Sequence, residues 1–551
     1  MEKENLIKLF EKSFQDNFDS PALTEYATPI KYTYGELAIE IEKLHILYRE
    51  MGIRPGDKIA LVGKNSARWC IIYLGTITYG AIIVPILQDF NPCDISHIIN
   101  HSEAVILFCA NTIWEALEES VLSKIRVSFS LSDLNVQYQR HSEKNDLLIS
   151  QLDSRFDKKF PNGFKAKDIR YIDLPDSEIL VLNYTSGTTG FSKGVMITGG
   201  NLSGNLTFAR RIFNLNQGDK MLSFLPLAHT YGSAFEFLYA LSEGCDVTIL
   251  GKTPSPQILL KAFEEVKPVL VIAVPLILEK IYRKMIIPTL NKTPMKMALS
   301  IPLLAQQIYA QIRKKLVNAF GGKFVQLIIG GAPLNAEVED FLLKIKFPVS
   351  VGYGMTECAP LISFSLYPDY VPHSCGKVLD VMEVRIDSPD PHHVAGEIQV
   401  RGQNVMSGYY KNEKASRNVF SEDGWLKTGD LGTIDHDNNI FIRGRSKSMI
   451  LGANGQNIYP EEIEAKLDNL PFVMESLVVE RNRKLIALVY PDYDALDSTG
   501  TKEEELPLIM EKNKETLNNM VASYEKIAKI QLYPSEFEKT PKKSIKRYLY
   551  T

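Results

Sequence analysis

The sequence predicts an α/β protein, with α/β layers over residues 1–445 and a smaller α+β unit over residues 446–551. Three observations lead there. At 551 residues the chain is long enough for two to four core-forming units. From Ile59 to Gly251, short apolar runs alternate with helix-length amphipathic segments, the mark of a layered α/β fold. Near Arg445 that alternation stops and a different pattern begins.

Taken in order, the strand candidates are Ile59-Ala-Leu-Val-Gly63, Val105 to Phe108, Ile179 to Leu182 and Val247 to Leu250. The pattern resumes with Val269 to Ala273 and Val325 to Ile329, each running into a loop with Gly or Pro. In open parallel sheets, ligands bind at such loops beyond the strand ends. The uncharged stretch Trp69 to Leu87 is nearly as long as a membrane span. Gly75, Gly80 and Pro85 interrupt it and β-branched residues 82–84 close it, so it reads as a buried helix followed by a core strand. Beyond Arg445, Pro460 and its acidic neighbours open a helix with Ile463, Leu467 and Leu470 on one face. Ser476 to Glu480 and Leu485 to Tyr490 then read as a hairpin, ahead of a last helix and a basic tail.

Composition excludes several classes. The net charge of −4 and a pI near 6.2 supply no global field for nucleic acid or an anionic membrane, so any polyanion site must be local. Six scattered cysteines without a CxxC spacing fit neither a disulfide framework nor a zinc site, and read as cytosolic thiols. The N-terminus mixes acids into its start and has no signal-peptide pattern. The expected compartment is the cytoplasm, with peripheral contact at the inner membrane face if the substrate is a lipid, although no anchor is visible.

Tyr184-Thr-Ser-Gly-Thr-Thr-Gly-Phe-Ser-Lys-Gly194 follows a strand directly. Its glycines let backbone amides approach phosphate, its hydroxyls donate, and Lys193 adds a point charge. Ser192 stands where a Walker loop needs glycine, and a loop of this composition alone also fits a plain connector. Gly330 to Pro333 form a small-residue turn able to lie beside a purine on which Tyr353 can stack. Glu357 is a hard oxygen donor suited to Mg²⁺, with Thr188 as hydroxyl partner, or a solvated surface carboxylate. Asp430 in Thr-Gly-Asp can accept two ribose hydroxyls or simply cap a turn. Arg445 can bind the nucleotide or a surface carboxylate, and His229 can be a site residue or a core one.

In order, these segments resemble the adenylate-forming superfamily of acyl-CoA synthetases, luciferases and peptide synthetase adenylation domains. The matches are the loop 184–194, Leu225-Pro-Leu-Ala-His-Thr-Tyr-Gly232, Gly330-Gly-Ala-Pro-Leu334, Tyr353-Gly-Met-Thr-Glu357, Trp425-Leu-Lys-Thr-Gly-Asp430, and Gly444-Arg-Ser-Lys447 leading to Gly455-Gln-Asn-Ile-Tyr-Pro460. The resemblance implies a nucleotide site built from Thr185, Ser186, Gly187, Thr188, Thr189, Gly190, Gly331, Ala332, Pro333, Tyr353, Gly354, Met355, Thr356, Asp430, Arg445 and Gly455. It implies Mg²⁺ on Thr188 and Glu357, His229 at the acyl carboxylate, and ATP and coenzyme A as reactants. It further implies a mobile C-terminal domain that rotates about Lys447 between two half-reactions, acyl-AMP formation and transfer to the thiol.

The stretch Gly232-Ser-Ala-Phe-Glu-Phe237 lacks the Asp with which amino-acid-activating relatives hold an amine. Residues 274–282 and 457–464 resemble long-chain fatty acid:CoA ligases. The tail departs from the pattern, because Thr540-Pro-Lys-Lys-Ser-Ile545 places Ser544 where relatives carry the adenylation lysine. Adjacent Lys543 is then the candidate catalytic substitute beside Lys193, His229 and Glu357. In an extended segment, Lys542 and Lys546 would share the side of Ser544. Two other readings follow: a fatty acyl-AMP ligase loading a carrier protein, and a nucleotide- or acyl-binding homologue with weak catalysis.

Overall fold

The computed structural model describes residues 4–119, 122–140, 145–185, 192–290, 292–451, 456–540 and 544–550. The apolar runs form two seven-stranded sheets. The first orders Val136–Gln139, Val127–Ser130, Ile106–Cys109, Lys58–Val62, Ile82–Ile86, Ile179–Thr185 and Lys193–Thr198. It is parallel except at its two edge pairs. The second orders Val349–Val351, Gln326–Ile329, Leu270–Ala273, Lys220–Ser223, Asp246–Ile249, Pro21–Glu25 and Lys31–Thr33, parallel up to its last, antiparallel pair.

The uncharged stretch divides as expected into a buried helix, Ala67–Tyr79, and a fully buried strand, Ile82–Ile86. Ser66 caps the helix and Gly80 ends it at φ +88°, a left-handed position that glycine occupies without strain. Trp69 and Tyr73 stack on each other and meet Phe237 edge-on, at 6.3 and 5.7 Å. Phe237 lies in the π-helical segment Ser233–Leu238, which follows a strand of the other sheet. One continuous apolar core therefore spans both sheets, from Leu6 to Ile440. No helix among the described residues is long and apolar enough to cross a membrane.

One element was not anticipated. Residues 382–445 form a four-stranded antiparallel sheet of Met382–Asp387, Gly396–Gly402, Leu426–Ile434 and Ile440–Arg445. Several of these strands mix buried with exposed or half-buried positions, so they lack the continuous apolar runs that mark the parallel strands. Beyond it, Pro460–Leu467 and Leu506–Met520 are helices, and Val473–Arg481 pairs antiparallel with Lys484–Pro491 as the predicted hairpin. Lys529–Leu532 adds a third, parallel strand. This sheet has its own two apolar clusters, one on each face.

Candidate nucleotide and acyl site

Because the strands of the second sheet run parallel, their carboxyl ends share one edge. Phe224–His229 leaves Lys220–Ser223 there, Val274 leaves Leu270–Ala273, Gly330–Pro333 leaves Gln326–Ile329, and Gly352–Tyr353 leaves Val349–Val351. Gly331 sits at φ +84°, and Ala332 and Pro333 are exposed in the turn. A Cβ at Gly330 would come within 2.9 Å of the Tyr231 ring, so only glycine lets this turn sit against the loop that carries His229. Tyr231 donates its hydroxyl to the Ile328 carbonyl at 3.3 Å, tying the segment after His229 to the strand from which that turn leaves.

Asp430 is 4% exposed. Its Oδ2 accepts the Tyr353 hydroxyl at 2.7 Å, and its Oδ1 lies 2.7 Å from Nε of Arg445. Arg445 faces it directly across the antiparallel pair, so the sheet register sets this ion pair. Burial raises the Asp430 carboxyl above its ordinary value, Arg445 and the Tyr353 hydroxyl oppose the rise, and the charges of Glu357 and Glu461 add to it. Burial and the nearby carboxylate push the Tyr353 phenol well up, so it stays a donor. Each Asp430 oxygen keeps acceptor capacity beyond these partners, enough for vicinal hydroxyls.

Glu357, also buried, accepts the Tyr409 hydroxyl on Oε1 at 2.9 Å. The Lys193 ammonium lies 4.9 Å over the Tyr409 ring. Main-chain bonds join 407–410 to the Lys193–Thr198 strand: Met196 donates to Gly408 at 3.0 Å and Tyr410 to Gly194 at 2.8 Å. Tyr409 thus links the lysine strand to the Glu357 carboxylate, a role that the sequence did not disclose. Its only signal is an aromatic pair after Gly408, too common to single out.

Around these groups, Met355 donates to the Pro360 carbonyl at 2.8 Å and Thr356 is buried, while a Cβ at Gly354 would collide with the Pro360 carbonyl. Thr185 faces Lys193 as the last register pair of the two antiparallel strands. Ser186, Gly187, Thr188, Thr189, Gly190, Gly455 and Lys543 lie outside the described residues.

His229 approaches from the loop 224–229, which three side chains hold. Asn65 donates to the Leu225 carbonyl at 2.7 Å and accepts from the Leu227 amide at 3.0 Å, and Asn183 donates to the Ala228 carbonyl at 2.9 Å. Glu236 accepts on Oε2 from the Ser223 hydroxyl and the amides of Phe224 and Leu225, at 3.0 to 3.1 Å. His229 itself accepts the Tyr231 amide on Nδ1 at 3.2 Å. Glu236 is fully buried, its carboxyl is pushed up to about 8 by burial, and its Oε1 has no hydrogen-bond partner.

The tail differs from a straight extended segment. Thr540 donates its amide to the Ser544 carbonyl at 2.8 Å, and Lys539 bridges Ile545 antiparallel. Lys542, like Lys543, lies outside the described residues. Lys546 pairs with Glu538 at 3.3 Å and Lys539 with Glu475. Arg547 pairs with the buried Glu464, so Lys539 and Arg547 are anchored rather than freely solvated.

Comparison with known proteins gives the family and the fold. A family described as AMP-binding enzyme matches residues 10–410, and AMP-binding enzyme C-terminal domain matches 447–550. A long-chain-fatty-acid–CoA ligase, FadD15 of Mycobacterium bovis, is 28% identical, with 94% of this chain and 89% of that protein covered. A chloroplastic long-chain-fatty-acid–[acyl-carrier-protein] ligase of Arabidopsis thaliana, AEE15, is 27% identical over 90% of this chain and 75% of its own. The ATP-bound structure of MatB from Rhodopseudomonas palustris superposes with a TM-score of 0.77 at 22% identity, covering 99% of this chain and 98% of that one.

Proposed function

This chain belongs to the AMP-binding enzyme family of the adenylate-forming superfamily, and we propose that it activates a long-chain fatty acid with ATP and passes the acyl group to coenzyme A. The observation that carries the reading is Asp430, a buried carboxylate held between Tyr353 and Arg445 with acceptor capacity left for ribose hydroxyls.

In the first half-reaction a carboxylate oxygen bonds to the α-phosphorus of ATP and the bond to pyrophosphate breaks. In the second, the thiol sulfur bonds to the acyl carbonyl and AMP leaves. No protein nucleophile is required, so this chain's residues act by positioning and by stabilising charge. Glu357 and its Tyr409 partner fit Mg²⁺, a cation usually held by one or two carboxylates together with substrate phosphates. Among the described residues no cluster of three His, Cys, Asp or Glu competes with that role. When bound, Mg²⁺ would offset charge on the phosphate oxygens. Lys193, whose ammonium stands over the Tyr409 ring, is the cation we assign to phosphate.

A fatty acid, rather than an amino acid, is supported by Glu236. It is the only acid in the stretch Gly232 to Phe237, it is occupied by two backbone amides and a hydroxyl, and burial pushes its carboxyl up to about 8, toward the neutral form. A neutral carboxyl so engaged is no counterion for an ammonium group. FadD15 favours coenzyme A as acceptor, whereas AEE15 favours a carrier protein. The deciding assay is fatty-acid-dependent ATP/pyrophosphate exchange followed by addition of coenzyme A. Exchange with thioester formation supports the ligase, exchange with acyl transfer only to a carrier protein supports the second reading, and ATP binding without exchange leaves a weakly catalytic homologue.

A further inference from the structure

Residues 280–336 carry nine Lys and Arg and no Asp or Glu, in a chain whose net charge is −4. Within that stretch the helices Thr293–Leu299 and Pro302–Ala319 meet at a corner. Four of the sixteen exposed large hydrophobic residues among those described fall in eight consecutive positions there: Met297, Ile301, Leu303 and Leu304. Leu303 is 72% and Met297 68% exposed, so their side chains are largely in water. Only Ala305 and Leu316 of the longer helix are buried, which leaves most of its surface turned outward.

Lys292 and Lys296 are exposed beside the apolar corner, and Lys314 and Lys315 are exposed about 16 Å farther along the helix. None of the ion pairs among the described residues includes Lys292, Lys296, Arg313, Lys314 or Lys315. A corner that is both apolar and flanked by lysines has few complementary occupants. A second copy packed on it about a two-fold axis would bring the same cations face to face. An anionic bilayer satisfies both features, because its acyl region takes the apolar side chains and its headgroups take the lysines.

We propose that the corner between Thr293–Leu299 and Pro302–Ala319 docks this protein on an anionic lipid surface. Met297, Ile301, Leu303 and Leu304 enter the acyl boundary, with Lys292 and Lys296 at the headgroups. The proposal goes beyond the ligase reading and does not depend on it, although a fatty acid substrate gives the docking a purpose.

The test is co-sedimentation of the full chain with vesicles of phosphatidylcholine, alone or mixed with phosphatidylglycerol. The wild type is expected to prefer the mixed vesicles and to lose that preference as salt rises. Lys292→Glu with Lys296→Glu should lower partitioning by at least about 25-fold, roughly fivefold for each lysine. Met297→Ser with Ile301→Ser and Leu303→Ser should lower it by at least about tenfold. Both variants should keep the wild-type circular dichroism and the wild-type exchange activity with soluble fatty acid. Failure of the wild type to bind mixed vesicles, or unchanged binding by both variants, overturns the proposal. So does a change of sedimentation coefficient in the apolar variant, which would mean that another protein surface covers this corner. If exchange is absent while vesicle binding behaves as stated, the ligase reading fails and the docking surface stands.

Discussion

At the scale of single residues, Asp430 and Glu236 are both buried carboxyls, but their partners give them different tasks. Asp430 has an arginine and a phenol to hold charge, so Asp430→Asn keeps the shape while removing the charged acceptor. Losing charge-assisted bonds costs about 1.5–3 kcal/mol each. Titration calorimetry is therefore expected to give a Kd for ATP at least about tenfold weaker, and an unchanged Kd would remove Asp430 from the ribose site. Glu236 has only neutral donors, and its folded value of about 8 lies above the ordinary 4.5. In the unfolded chain it ionises near that ordinary value, so from there up to about pH 8 the unfolded state is favoured by as much as about 1.4 kcal/mol per pH unit. Glu236→Gln removes this term. Urea unfolding of the variant and the wild type should therefore diverge as pH rises from about 4.5 to 8, with the variant gaining, and run parallel above that. Parallel curves throughout would mean that Glu236 stays ionised in the fold. At Ser544, exchange unchanged by Ser544→Lys but abolished by Lys543→Ala would identify Lys543 as the working substitute.

At the scale of elements, legibility followed the degree of burial. Lys58–Val62, Ile106–Cys109 and Gln326–Ile329 are buried on both faces and read directly as apolar runs ended by Gly, Pro or a polar turn. The hairpin Val473–Arg481 and Lys484–Pro491 was readable because the polar run Arg481 to Lys484 separates two β-branched segments. The sheet of residues 382–445 was not, and with it went the register that sets Arg445 opposite Asp430. Its alternation of exposure makes each strand look like loop when read one residue at a time. That sheet ends two residues before Lys447, where the resemblance puts the rotation between half-reactions. Among the described residues, polar contacts join the following helix and its C-terminal end to the large unit: Arg443 to Glu462 at 3.5 Å, Arg283 to the Asp468 carbonyl at 3.0 Å, and Asn335 to Asn469 at 2.5 Å. Such contacts are each worth about 1 kcal/mol or less and can exchange partners. Fixing φ by Lys447→Pro should then leave one half-reaction near the wild-type rate and slow the other by at least about tenfold. Stopped-flow measurement of pyrophosphate release and of thioester formation separates them, and equal rates in both would remove the hinge from Lys447.

At the scale of the whole molecule, the six motifs in their order made the family legible: four of them stand at strand ends of the two large sheets, and the other two lie on the last strands of the four-stranded sheet and just beyond it. The arrangement of cores was less legible, since apolar composition does not say which residues meet. One cluster runs from Leu6 to Ile440, and the two clusters beyond it lie on opposite faces of a separate three-stranded sheet. We propose on this basis that residues 1–445 and 446–551 unfold as distinct cooperative units, since among the described residues no apolar cluster is shared by both and the contacts named above are polar. The chain carries its own reporters: Trp69, Trp114 and Trp425 all lie in the first unit, while backbone circular dichroism sees both. In urea, the smaller unit buries fewer apolar side chains and should lose structure first, so ellipticity is expected to begin falling before tryptophan fluorescence shifts. ATP should move only the fluorescence transition to higher urea if its tight contacts are Asp430, Tyr353 and Glu357, all in the first unit. Coincident transitions that shift together on adding ATP would mean instead that the polar interface couples the two units into one, and that the boundary near Arg445 is a boundary of pattern without being one of stability.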